Sequence, residues 1–160
     1  MEAIPRGSAI CFTGHRHIPA ADIPRLTAQL ASVIDTQASQ GTTHFICGGA
    51  LGFDTLAAQC VLAARKVNPL VRLVLALPCH NQQARWNAAE RAVYADILSQ
   101  ADEVVYTADS YSPDCMNRRN RFMVDNASAV VTYCIHAYGG TANTIAYAAR
   151  ENVTRIRLGE

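Results

Sequence analysis

Short apolar runs alternate along this chain with longer stretches in which apolar side chains return every three or four positions. The runs cover 8–13, 43–47, 71–77, 103–106, 129–134 and 154–158. Stopped by residues such as Gly14, Gly48 and Pro78, they predict strands, and the run at 71–77 is apolar enough for a strand covered on both faces. Between the first two runs, Ile23, Leu26, Leu30, Val33 and Ile34 mark one face of a helix. Asp22 is its expected cap, Pro24 stands in its first turn and Gly41 stops it. An alanine-rich helix is expected over 53–66. Arg65 and Lys66 stand at its end, where the helix dipole favours cations, and Pro69 blocks extension. The stripe Trp86, Ala89, Val93, Tyr94, Ile97 and Leu98 predicts the next helix, with Asn81 as its cap. Further helices are expected over 116–126 and, opened by Gly139-Gly140, over 141–151. Strands alternating with helices through short connections predict an α/β protein, a mostly parallel sheet of about six strands between two helical layers. No repeat, low-complexity stretch or linker divides the chain, so 1–160 reads as one domain.

Composition narrows the class. Half of the 160 residues are hydrophobic, enough for a core, and 17% are charged. Disorder as a global state is thereby excluded. Fourteen basic against thirteen acidic residues leave a formal charge of +1. A nucleic-acid partner held by a strong positive field is therefore not expected. The basic residues are thirteen Arg and one Lys, Lys66, and the planar guanidinium fork suits phosphate and carboxylate. No apolar run approaches the roughly 18 residues of a membrane span, and the polar, proline-broken start carries no signal core. The six cysteines form no C-x-x-C pair. The expectation is a cytoplasmic protein without structural disulfides or a zinc site. His15 and His17 stand two apart with no third ligand evident, so no metal is expected.

Candidate chemistry follows from the fold class, because ligands of open α/β sheets bind beyond the carboxyl ends of the strands. The residues there are Gly14-His15-Arg16-His17, Gly48-Gly49-Ala50-Leu51-Gly52-Phe53-Asp54, Pro78-Cys79-His80-Asn81 and His136-Ala137-Tyr138-Gly139-Gly140-Thr141. Two of these loops carry a Gly-Gly pair and lead directly into a helix. The first N–H groups of a helix lack internal partners and sit in positive potential, and glycine lets a phosphate approach closely. One such pair alone reads better as a tight turn; two at one sheet edge favour a phosphate site. Neither pair is a Walker loop or a G-x-G-x-x-G fingerprint. Arg16 suits a phosphate grip or a surface ion pair. Asp54 suits a ribose hydroxyl or simple dipole complementation. Of Arg118, Arg119 and Arg121, helical spacing lets only some face one way, and one of them, with Asn120, is expected at the cleft. Trp86 suits the core or a stacking platform for a base.

Taken together, Thr13-Gly14-His15-Arg16, the string 48–54, Arg119-Asn120-Arg121-Phe122-Met123-Val124-Asp125 and Gly139-Gly140-Thr141 resemble the YpsA-like branch of the SLOG superfamily. That superfamily also holds the LOG phosphoribohydrolases and the DNA-processing protein Smf/DprA. The resemblance runs from about 10 to 158. It implies a Rossmann-like three-layer α/β/α fold and a bacterial protein that binds a nucleotide or an ADP-ribose-like ligand; the two glycine-led helix starts with Arg16 and Asn120, and no recognisable catalytic group, make a sensor or regulatory role the leading expectation. By similarity, Gly48, Gly49, Gly139, Gly140 and Thr141 would wrap phosphate and ribose, and Arg16, Asp54 and Asn120 would complete the pocket. Gly14, Gly52 and Arg119 belong to the same motifs. No cofactor is implied beyond that ligand, and a homodimer is expected by analogy. One departure matters. LOG enzymes carry P-G-G-x-G-T-x-x-E, whereas the helix opened by Gly139 has no preceding proline and no Glu in its first turns. The alternative function, an N-glycoside hydrolase acting on nucleoside monophosphates, would need Asp54 or Glu90 as its carboxylate.

Overall fold

The computed structural model describes residues 3–159. Six strands form one sheet with every pairing parallel. In chain order the elements are β1 (Ala9–Gly14), α1 (Ile23–Ser39), β2 (His44–Cys47), α2 (Phe53–Val67), β3 (Arg72–Leu77), α3 (Ala88–Gln100), β4 (Glu103–Tyr106), α4 (Cys115–Asp125), β5 (Ala129–Tyr133), α5 (Gly140–Arg150) and β6 (Thr154–Arg157). The fold is thus the three-layer, Rossmann-like one, and all of its strands run parallel.

Strand alternation sends Ile10 and Phe12 of β1 to one face and Ala9 and Cys11 to the other. On the first face they meet α1, α2 and α3 through Leu26, Leu30, Ile34, Val61, Tyr94 and Ile97. On the second they meet α4 and α5 through Met123, Val124 and Ala148. Gly41, past the end of α1, has φ +101°, a conformation that favours glycine.

Two caps differ from expectation. Asp22 holds the N-cap position of α1, yet its backbone is αR and its side chain caps nothing. Capping requires an extended N-cap residue; the carboxylate instead lies 3.7 Å from Arg25. The third helix begins later than Asn81 suggested. Asn87 caps α3 by accepting from the Glu90 N–H at 2.8 Å, while Glu90 Oε1 accepts from the Asn87 N–H at 3.0 Å. This reciprocal box satisfies two donors at once, so it outcompetes Asn81, which stays in a turn with its carbonyl accepting from Ala84 N–H. Trp86 therefore precedes the helix rather than riding on it.

Strand order is β4-β3-β2-β1-β5-β6. The chain builds outward from β1 to β4, then returns to place β5 against the free edge of β1. Their ends coincide, with Gly14 opposite Tyr133. The loops leaving β1 and β5 therefore diverge and open a crevice above their carboxyl ends.

Candidate functional site

That crevice holds a cleft of about 290 Å³. The end of β1 supplies Thr13, Gly14, His15 and Arg16; the β2–α2 loop and first helical turn supply Ala50 and Asp54; α4 supplies Met116, Arg119 and Asn120; and 138–141 close the far side. Both glycine-bearing loops thus reach one cleft, but they reach it differently.

On the β5–α5 side the backbone is open. Gly139 has φ +96°, and a Cβ on Gly139 or Gly140 would meet nothing within 4 Å. The first carbonyl bond of α5 comes from Asn143 N–H to Gly139, so the N–H groups before it have no partner in the helix. Thr141 is buried beneath them. This terminus meets the steric and electrostatic needs of an anion.

On the β2–α2 side the protein fills its own helix terminus. Phe53 N–H donates to the His15 carbonyl at 3.1 Å. The Asp54 carboxylate accepts from Ala50 N–H at 3.3 Å. Gly48, Gly49 and Gly52 do not line the cleft; each is needed for packing. Arg119 Nη1 and Asp54 Oδ2 both lie 2.7 Å from where a Cβ on Gly48 would stand. A Cβ on Gly49, at φ +73°, would lie 2.6 Å from Leu77, and one on Gly52, at φ +75°, 2.2 Å from the Arg16 carbonyl oxygen. Gly14 lines the cleft, but its missing Cβ makes room for the Phe53 ring.

Asp54 and Arg119 form the buried electrostatic centre, 6% and 4% exposed. Arg119 shares the inward stripe of α4 with Cys115 and Met123, four residues to either side. Its Nη1 donates to the carbonyls of Gly48 and, at 3.4 Å, Ala76, and its Nε to Asn120 Oδ1 at 2.8 Å. Arg118 and Arg121 face outward, Arg118 toward the Thr107 carbonyl and Arg121 over the Tyr147 ring. Burial raises the Asp54 pKa from 3.8 to about 6, against the opposing pull of Arg119, the Ala50 N–H and Arg16. Burial likewise lowers the Arg119 pKa, opposed by Asp54, though a guanidinium stays charged at any physiological pH. Asp54 can hold or release a proton near neutrality, which a solvated carboxylate cannot.

Arg16 is exposed, and its guanidinium has no hydrogen-bond or ion-pair partner among the described residues. His15 Nε2 accepts from Ile135 N–H at 2.8 Å, pinning the β5–α5 loop to β1. That bond assigns the proton to Nδ1, and burial followed by the nearby His136 lowers the His15 pKa. His136 and Tyr138 stack at 5.3 Å. His15, named among the residues after the first strand, lines the cleft, whereas Met116 joined it without any chemical signal in the sequence; only the packing of α4 brings it there. Glu90 is not at the cleft. Its carboxylate caps α3, beside a groove bordered by Ile18, Leu51 and Leu56. A separate cavity of about 240 Å³ between α4 and α5 shares only Asn120 with the cleft, and its Arg121 and Arg150 lie over Tyr147. Among the described residues no three His, Cys, Asp or Glu gather as a metal site, and no helix is long and apolar enough to cross a membrane.

Known proteins resemble this chain in sequence and fold. The model of the YspA SLOG family matches residues 11–154. The uncharacterized SPbeta prophage-derived protein YoqJ of Bacillus subtilis is 30% identical over 139 residues, 79% of this chain and 81% of that protein. A UPF0398 protein of Bacillus pumilus is 26% identical over 66% of this chain and 58% of its own length. DNA processing protein A of Helicobacter pylori, whose structure is described for its single-stranded DNA binding mode, superposes with TM-score 0.69 at 16% identity, over 98% of this chain and 66% of that one. TM1055 superposes with TM-score 0.60 at 19% identity, over 92% and 72%. The chain thus spans somewhat less than two thirds of the UPF0398 and DNA processing proteins.

Proposed function

The chain belongs to the YspA SLOG family, and from that premise we propose that the β1/β5 cleft binds a nucleotide or nucleotide-derived sugar phosphate, such as an ADP-ribose-like compound, in a sensing or regulatory role. Family and fold fit nucleotide-related binding or activity. One observation carries the finer reading: the open N-terminus of α5 and the unpaired Arg16 guanidinium face the same cleft as the buried side chains of Asp54 and Arg119. The phosphate would rest on the amides of Gly140 and Thr141, with Arg16 across from it, and a ribose hydroxyl would donate to Asp54. Calorimetric titration with ribose 5-phosphate, AMP and ADP-ribose tests this. Saturable binding, weakened by Arg16→Ala, is expected; a folded protein that binds none of the three overturns it.

A second reading is favoured by one observation, the raised pKa of Asp54. A carboxyl that titrates near 6 inside a sugar-phosphate cleft suits proton transfer to a departing base, as N-glycoside hydrolysis requires. Glu90, tied to its helix cap, is not part of that proposal. Release of ribose 5-phosphate from AMP, abolished in Asp54→Asn, would establish it, and absence of turnover across nucleoside monophosphates would end it. The proposal keeps single-stranded DNA as an unfavoured occupant, since the formal charge is +1. It includes a dimer, which light scattering tests.

A further inference from the structure

Beside the cleft lies a larger hollow of about 570 Å³, above the ends of β2, β3 and β4. Arg16 and Met116 border both spaces. We infer that the hollow is a second subsite, which takes the aromatic base of a ligand whose sugar phosphate lies in the cleft. The inference deepens the binding function proposed above and rests on it for the placement of the sugar phosphate.

Size is the first argument. The cleft alone stands at the floor of the range of about 300–1,000 Å³ occupied by small-molecule sites, whereas cleft and hollow together fall well within it. Chemistry is the second. Trp86 and Tyr111 line the hollow. Trp86 is braced edge-on against Tyr94 at 5.3 Å and 89°. Tyr111 is 64% exposed and has no ring partner among the described residues. A flat heterocycle in the hollow would stack on such rings, because stacking needs rigid aromatic faces that water solvates poorly.

Polar groups are the third argument. Gln82 borders the hollow and donates to Tyr94 Oη at 3.4 Å. Its Oε1 is buried with no hydrogen-bond partner. An orphaned buried acceptor is rare because leaving it unpaired is costly. Turned toward the hollow, it would accept from an exocyclic amine on a base edge. Arg16 stands between the two spaces with an unpaired guanidinium, which suits an anionic link between the two ends. The ligand class is therefore a nucleoside joined through phosphate to a second sugar phosphate, and a lone sugar phosphate would fill only part of the site.

The chain has one tryptophan, and it lines the hollow, so its fluorescence reports on that space. The test titrates ribose 5-phosphate and ADP-ribose by calorimetry and by Trp86 emission, against the wild type, Tyr111→Ala and Gln82→Leu. ADP-ribose is expected to bind at least about tenfold more tightly than ribose 5-phosphate and to quench Trp86, whereas ribose 5-phosphate leaves the emission unchanged. Each variant should weaken ADP-ribose by about fivefold or more and leave ribose 5-phosphate unaffected. Equal affinities, or tight ADP-ribose binding with unchanged emission, overturn the subsite while the cleft reading stands. Quenching by ADP-ribose whose affinity Gly140→Ala leaves unchanged keeps a base site in the hollow and overturns the cleft reading. Oligothymidylate binding more tightly than ADP-ribose overturns the ligand class.

Discussion

The two Gly-Gly loops look alike as text, and the fold gives them opposite jobs. The loop after β2 is sealed: a neighbour's carbonyl takes its first helical amide, a carboxylate takes another of its amides, and its glycines exist so that Arg119, Leu77 and the Arg16 backbone can pack where a Cβ would be. The loop after β5 is vacant around its glycines, and its helix terminus faces solvent and cleft. A glycine at a helix start therefore signals close approach, but the approaching group can be the protein itself. What the sealed loop provides to the cleft is Asp54, held at low dielectric beside a fixed guanidinium.

The contrast breaks first under substitution. Gly52→Ala places a methyl 2.2 Å from a backbone oxygen at φ +75°. It should cost about 3 kcal/mol or more in urea unfolding, because overpacking and left-handed strain add. Arg119→Met removes a buried guanidinium whose charge stabilises the Asp54 carboxylate and leaves the Gly48 and Ala76 carbonyls without their donor. At pH 8 it should cost about 3 kcal/mol, and less at pH 5, where the carboxyl can protonate.

Asp54→Asn probes the same pair from the other side. The folded pKa of Asp54, about 6, exceeds its ordinary 3.8, so the folded protein holds this proton more tightly. The stabilisation from that proton is complete below about pH 4 and is lost as pH rises to about 6 and beyond, on the order of 3 kcal/mol in all. In the difference between wild type and Asp54→Asn, followed by urea unfolding from pH 4 to 8, the wild type should lose ground over that interval. A flat difference would show that Asp54 is not held in this environment.

Smaller effects sharpen the open side. Arg16→Ala should weaken ribose 5-phosphate about tenfold, read by calorimetry, with stability changed by less than about 0.5 kcal/mol. Gly140→Ala should leave stability within about 0.5 kcal/mol and weaken the same ligand by a few fold, because its methyl enters only the space a phosphate would use. Were Gly140→Ala as damaging to folding as Gly52→Ala, the distinction between the two loops would vanish.

Local signals carried most of the architecture. Apolar runs and helical stripes placed each strand and helix other than α3 to within a residue, since burial on two faces and burial on one stripe leave different periods. The exception, α3, turned on a competition between two asparagines that only the reciprocal bond with Glu90 decides. The site was legible as a set of loops, because a parallel sheet puts the ends of its strands at one edge. The roles within it were not. Periodicity showed that the three arginines of α4 cannot share a face, but only packing against Gly48 and Ala76 selected Arg119 as the buried one. Which glycines guard space for a neighbour and which leave it for a ligand depends on atoms contributed by residues far away in the chain: Phe53 against Gly14, Leu77 against Gly49, Arg16 against Gly52. One position's sequence states that a side chain is missing, and the fold alone states what occupies the place.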